Sequence, residues 1–298
     1  MYNNRRGQIG SRVSAAALLA GATVLGCLAL GAQAADHGDT AMLTSIGRHD
    51  ARLSDLHAFV RDGNLVLSVT TDPTACNATT YTFPSDVQFD IYIDNDANVD
   101  ASKSHPFGGT ILDNDIGEDI TYRVTFDAAG TPTVNTVGAN APEPEDVFVG
   151  LRDDPFLRTP RVGCNIAAIV LGVPLDEVLA DQSTLLIWAA AFLDGEQVEL
   201  LGRGLRNQFG DNPNVPISSN CLNLNQPSDH RVECEQEPDV LIYDTDKQAK
   251  TPNGRRLKDD VDQLFKDQPL YKNPGEKTTT TDVPFLDEFP YLGPPHLP

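Results

Sequence analysis

Between Asp86 and Asp94 the chain reads Asp-Val-Gln-Phe-Asp-Ile-Tyr-Ile-Asp, with Val87, Phe89, Ile91 and Ile93 at every second position. Successive side chains of a strand point to opposite faces, so this spacing predicts a strand with one face buried and the other in polar surroundings. The alternation returns in residues 120–126, where Asp127-Ala128-Ala129-Gly130 supplies a turn into a strand over 131–137, and residues 145–151 read as a further short strand. Asp62-Gly63 separates residues 56–60 from 65–70, and Asp194-Gly195 leads into 198–201. Asp-Gly between apolar runs is a strong hairpin signal, because the tightest hairpin turns need positive φ at both central residues. The continuous apolar runs 166–173 and 185–192 predict central strands covered on both faces. Together these features predict a mainly β chain: a single antiparallel β-sandwich-like domain with a few short helices and a long disulfide-stapled loop. No internal repeat of fixed period is present, which argues against a propeller.

Helical signals are few. Residues 174–180 suit a helical turn, and Leu257, Val261, Leu264 and Phe265 fall at i, i+4, i+7 and i+8, predicting a helix over 255–266. Residues 207–238 are rich in Asn, Pro, Ser and Asp and predict a long loop. The tail from Asp282 to Leu292 carries too many apolar residues to float free and is expected to lie extended across the domain.

The first residues have a different character. Arg5, Arg6 and Arg12 stand without an acid before an apolar run from Val13 to Leu30, which ends in Gly31-Ala32-Gln33-Ala34. A basic start, an apolar centre and a small-x-small end are the order of a signal peptide, so residues 1–34 are expected to be removed, leaving 35–298 as one domain. A membrane anchor is the rival, but Ser14, Gly21, Thr23 and Gly26 interrupt a run already short of the roughly 20 apolar residues a bilayer needs. No later run would form a stable span after cleavage, which places the mature chain in the periplasm or outside the cell.

Loss of three arginines moves the formal charge from −21 to −24. So acidic a surface argues against nucleic acid and anionic lipid as partners and favours cations, or simply solubility. Of the five cysteines, Cys27 lies in the leader and Cys76, Cys164, Cys221 and Cys234 remain. An even number in an oxidising compartment predicts disulfides. Three connectivities are open, of which Cys76–Cys164 with Cys221–Cys234 is the simplest. A zinc site lacks any CxxC pair.

Two groups of residues suit a metal. Asp94, Asp96, Asn98 and Asp100 place oxygen ligands at alternate positions directly after a strand, and Asp113, Asp115, Glu118 and Asp119 follow within one excursion of the chain. Calcium takes six to eight oxygens and would suit such a loop. Val99 stands where an EF-hand needs glycine and His105 where it needs glutamate, so this is not an EF-hand. A solvated acidic loop is the other reading. The second group is His37, Asp39, His49, Asp50, Asp55 and His57, where Asp55 and His57 would share one strand face. Its spacing matches no zinc motif, and surface or capping histidines explain it as well.

Arg152-Asp153-Asp154-Pro155-Phe156 reads as a structural corner in which Asp caps amides and Pro fixes the turn. The chain carries no GxSxG elbow, Walker loop, GxGxxG or CxxCH, and Met42 is the only methionine beyond the leader to offer a haem.

Several segments resemble the DUF4331 family of bacterial extracytoplasmic proteins: Leu53-Ser54-Asp55-Leu56-His57-Ala58-Phe59, Ile93-Asp94-Asn95-Asp96, Arg152 to Phe156, Asn253 to Val261, and Phe289-Pro290-Tyr291-Leu292-Gly293-Pro294-Pro295-His296. They span nearly the whole mature chain in family order. The resemblance implies export and a shared fold but no mechanism, because the family's function is undefined. The acidic loop after Asp96 is less glycine-rich here than in the family. The expected function is therefore a non-catalytic exported ligand-binding or cell-surface protein, stabilised by calcium, whose partner is a small ligand, a glycan or a protein. The alternative is a metal-dependent hydrolase built on the N-terminal His/Asp group.

Overall fold

Both Asp-Gly pairs form the tight turns their sequence demands, with φ of 52° and 87° at Asp62 and Gly63 and of 50° and 85° at Asp194 and Gly195. The computed structural model describes residues 41–100, 108–155, 163–203, 219–261 and 283–297. The chain divides into Met1–Gly31 and Ala32–Pro298, and every described residue belongs to the second unit. The predicted leader and His37 lie outside the described residues.

After a short helix α1 (Ala41–Ile46), the strands are β1 (Leu53–Arg61), β2 (Asn64–Thr71), β3 (Val87–Asp94), β4 (Val99–Asp100), β5 (Thr110–Ile111), β6 (Ile120–Phe126) and β7 (Pro132–Val137). β8 (Asp146–Asp153) and β9 (Asn165–Pro174) follow, then α2 (Leu175–Val178), β10 (Thr184–Leu193), β11 (Glu196–Leu201), α3 (Ser219–Leu224), α4 (His230–Glu233) and β12 (Leu241–Asp244). Strands pair in the order β1-β2-β9-β8 in one sheet and β11-β10-β3-β6-β7 in the other, with β12 also on β10 and β4-β5 as a separate ribbon. Every pairing is antiparallel.

Alternation decides what each face buries. Leu67 and Val69 of β2 and Ile169 and Leu171 of β9 share one buried cluster with Phe89 and Ile91 of β3 and Ile187 and Ala189 of β10, the main core of the domain. Phe83 closes one end, stacked on Phe126 at 4.4 Å and edge-on to Phe89 at 5.7 Å. Each such side chain contributes roughly 1.5–3 kcal/mol when fully removed from water. The interior strands β9 and β10 are buried on both sides, as their unbroken apolar runs require. Trp188 and Leu186 of β10 join Tyr92 and Ile242 in a second cluster, while Val66, Ala168 and Val170 are covered by Leu292 of the C-terminal strap.

Disulfides join Cys76 to Cys164 and Cys221 to Cys234. The first closes a separation of 88 residues and the second one of 13. In the loop-entropy model they restrict the unfolded chain by about 4–5 and about 3 kcal/mol.

Two expectations are corrected. Among the described residues of 255–266, residues 255–260 form a bridge and turns rather than a helix, because Arg255 pairs with Ala58 through backbone bonds of 3.0 and 2.9 Å. Leu257 is buried against the strap and the sheet, not on a helix face. The segment predicted as loop over 207–238 contains α3 and α4 and contributes to the core. His230, fully buried, bonds the Leu222 and Asn225 carbonyls at 3.1 Å through Nε2, while its Nδ1 accepts the Asp239 N–H at 3.0 Å.

Candidate metal centre

Ile93 of β3 lies opposite Ile120 of β6, so continuing this antiparallel register sets Asp94, at the end of one strand, across from Asp119, just before the other. The Asp119 N–H donates to the Ile93 carbonyl at 2.9 Å and extends the ladder by one rung. Asp96 follows in the turn, and carboxylate oxygens of Asp94, Asp96 and Asp119 all lie within 4.8 Å of one another. This is the one group of three or more potential metal ligands that converges among the described residues.

The turn is held by its own polar groups. Asp94 accepts the backbone N–H groups of Asp96 and Gly117, each at 3.2 Å, and Asp119 accepts that of Asn95 at 2.9 Å. The Asn95 side chain donates to the Val178 carbonyl at 2.6 Å, and Gln182 donates to the Ala97 carbonyl at 2.9 Å. Asp94 is itself fully buried. Burial pushes its carboxyl up to about 6, and the neighbouring charges of Asp119 and Asp96 add to the rise against the two backbone donors. Asp96 is likewise raised, first by Asp119 and then by burial and Asp115. No lysine, arginine or histidine pairs with any of the three among the described residues. Three hard oxygen donors with a surplus of negative charge suit a hard divalent cation, calcium or magnesium.

Only half of the expected alternate set joins this group. Asn98 donates instead to Asp113 at 3.1 Å, and Asp100 lies in β4 opposite Thr110. Asp119, one of the acids expected to follow in the same excursion of the chain, takes their place, set there by the β3–β6 register.

Of the histidine group, His37 and Asp39 lie outside the described residues, and the remaining members form no group of three or more ligands. His49 sits in a short 3-10 turn with its Nδ1 3.1 Å from the Arg52 guanidinium. Asp55 and His57 do share the outer face of β1, but Asp55 is ion-paired with Arg255, both almost fully buried. Burial and the Arg255 charge hold the His57 imidazole well below its usual range. A cation beside His57 opposes a metal there, and among the described residues His49, Asp55 and His57 form no shared ligand set.

In its described part the corner at Arg152 clasps the C-terminal strap. Arg152 stacks over the Phe148 ring at 3.8 Å, the Asp153 N–H donates to the Gly293 carbonyl at 3.0 Å, and Asp153 Oδ1 lies 2.8 Å from His296 Nε2. Asn165 closes the clasp, donating to the His296 carbonyl at 2.9 Å and accepting its N–H at 2.7 Å. Phe156 lies outside the described residues.

Compared with known protein families, curated proteins and solved structures, the chain matches none.

Proposed function

We propose that the mature chain is an exported, non-catalytic binding module whose β3–β6 corner is braced by a divalent cation, calcium by preference, held by Asp94, Asp96 and Asp119. The observation that carries this reading is the contrast in how buried carboxylates are matched. Asp55 faces Arg255 and Asp90 faces Arg123 at 2.7 Å, whereas Asp94 faces two further carboxylates. A buried anion without a cation costs several kcal/mol, and a bound ion supplies the missing charge.

Export is supported by the order of the first 34 residues, by the two disulfides and by the resemblance to the DUF4331 family. No described helix is long and apolar enough to cross a membrane.

Thermal unfolding of the mature, disulfide-intact chain in millimolar calcium and in chelator tests the proposal. A ligand at about 100 times its dissociation constant stabilises by roughly 2.7 kcal/mol, so calcium raises the midpoint, and Asp96→Ala removes the rise. Superimposed curves for the parent chain would overturn the cation reading.

A further inference from the structure

The opposite sheet carries a concavity of another kind. The end of β1, Gln248, Ala249, residues 256–258 and the C-terminal strap line an open groove of about 340 Å³, within the roughly 300–1,000 Å³ range of small-molecule sites. Its apolar side is formed by Phe59, Leu257 and Tyr291, with the rings of Phe59 and Tyr291 edge-on at 5.9 Å. Its charged side is richer in cations than the chain of net charge −21 as a whole: Arg61, Arg256 and Lys258 line it together with Asp287, while Asp62 and Asp259 stand beside Arg61 and Arg256.

The three cations differ in what they can offer. Arg256 is committed to Asp259 by bonds of 3.1 and 2.7 Å. Arg61 stands 5.9 Å from the Tyr291 ring centroid, and the nearest carboxylates, on the exposed Asp62 and Asp287, are 3.5 and 3.8 Å away. Such exposed pairs are weak and give way readily to a better acceptor. Lys258 is exposed and makes no ion pair among the described residues.

We infer that this groove binds a small organic monoanion with an apolar body, an aryl or alkyl carboxylate, its body against Phe59, Leu257 and Tyr291 and its carboxylate at Lys258 and Arg61. A charge-assisted bond to an ammonium or guanidinium is stronger than a neutral one and gives the acid its advantage over an uncharged analogue. The acidic field of the whole chain disfavours a polyanion, which leaves a single charge as the fit. Gly254, whose φ is +62°, precedes the lining residues Arg256 to Lys258: a Cβ there would meet the Tyr243 ring at 2.8 Å and the Ala58 carbonyl at 2.9 Å. It lets residues 255–258 approach β1 closely enough to form the wall.

The inference rests on the binding-module reading and supplies its ligand class. A ligand-observed NMR titration of the mature chain, in chelator, with 4-phenylbutyrate, decanoate and 4-phenylbutyramide tests it. At least one acid binds saturably, the amide binds about tenfold or more weakly, and Lys258→Glu weakens the acid by a similar factor without changing the amide. Tyr291→Ala weakens acid and amide together. The inference is overturned if neither acid binds at millimolar concentration, if acid and amide bind alike, or if Lys258→Glu leaves the acid's affinity unchanged. Chelator keeps the two proposals apart: binding here is independent of the metal centre, and a calcium-dependent midpoint survives the loss of this one.

Discussion

The outer face of β1 and the far end of β3 bury carboxylates in opposite ways. At β1, Asp55 is 1% exposed and is met by Arg255, which reaches it from a segment some 200 residues later in the chain and is itself 4% exposed. At β3, Asp94 is 0% exposed and is met by Asp96 and Asp119. The first site is electrically closed by the chain's own sequence; at the second, Asp96 and Asp119 are open to solvent and no cationic side chain among the described residues meets the three carboxylates. Desolvation weighs on both carboxylates; the first is met by an ion pair, and the second is the place where we propose that an ion binds.

The largest effect lies at the closed site. Arg255→Ala leaves Asp55 buried and uncompensated and lowers stability in urea unfolding by about 3–5 kcal/mol; a loss below about 1 kcal/mol would break the claim that this pair is matched internally. Next comes the strap over the same face. Leu292 is fully buried against Val66, Ala168 and Val170, and Leu292→Ala is expected to cost about 2–4 kcal/mol by the same measurement.

A smaller and more diagnostic effect belongs to His57. Its folded imidazole resists protonation, held well below the ordinary value by burial and Arg255, whereas the unfolded chain takes up that proton near pH 6.5. Below that pH the unfolded state binds more protons, so stability falls toward acid by up to about 1.4 kcal/mol per pH unit and is restored above it. His57→Gln removes this component of the slope, and an unchanged slope in the variant would show that other groups set it. The smallest effect is at the open site: in chelator, Asp94→Asn stays within about 1 kcal/mol of the parent, because relief of the like charges of Asp96 and Asp119 offsets the one backbone N–H, of Asp96 or Gly117, that an amide nitrogen no longer accepts. A loss as large as that of Arg255→Ala would erase the contrast.

Much of the scaffold was legible because it rests on local rules. Asp62-Gly63 and Asp194-Gly195 can hardly do other than turn, the alternation from Val87 to Ile93 sorts two faces, and four cysteines, an even number, pair. What stayed hidden is long-range. Leu257 and Val261 have helical spacing, but the backbone at Arg255 and Ala58 claims the segment for β1, and no local pattern announces that bridge. β12 has only four residues and no alternation, and its identity comes from pairing with Thr184–Ile187 of β10. The metal corner was partly visible: Asp94 and Asp96 follow from their turn and Asp119 stood among the acids of the same excursion, whereas its selection over Asn98, Asp100 and the other acids depends on β3–β6 register. The groove joins Phe59, Leu257 and Tyr291 from three distant stretches and could not be read from spacing at all.

The central claim is that the charge missing at Asp94 is supplied by a bound ion. Equilibrium dialysis of the mature chain against micromolar to millimolar radioactive calcium measures this directly. The account predicts about one tightly retained ion per chain, absent in an Asp94→Asn/Asp119→Asn double variant that keeps its folded circular dichroism. No retention at millimolar calcium, or equal retention by parent and variant, would contradict it.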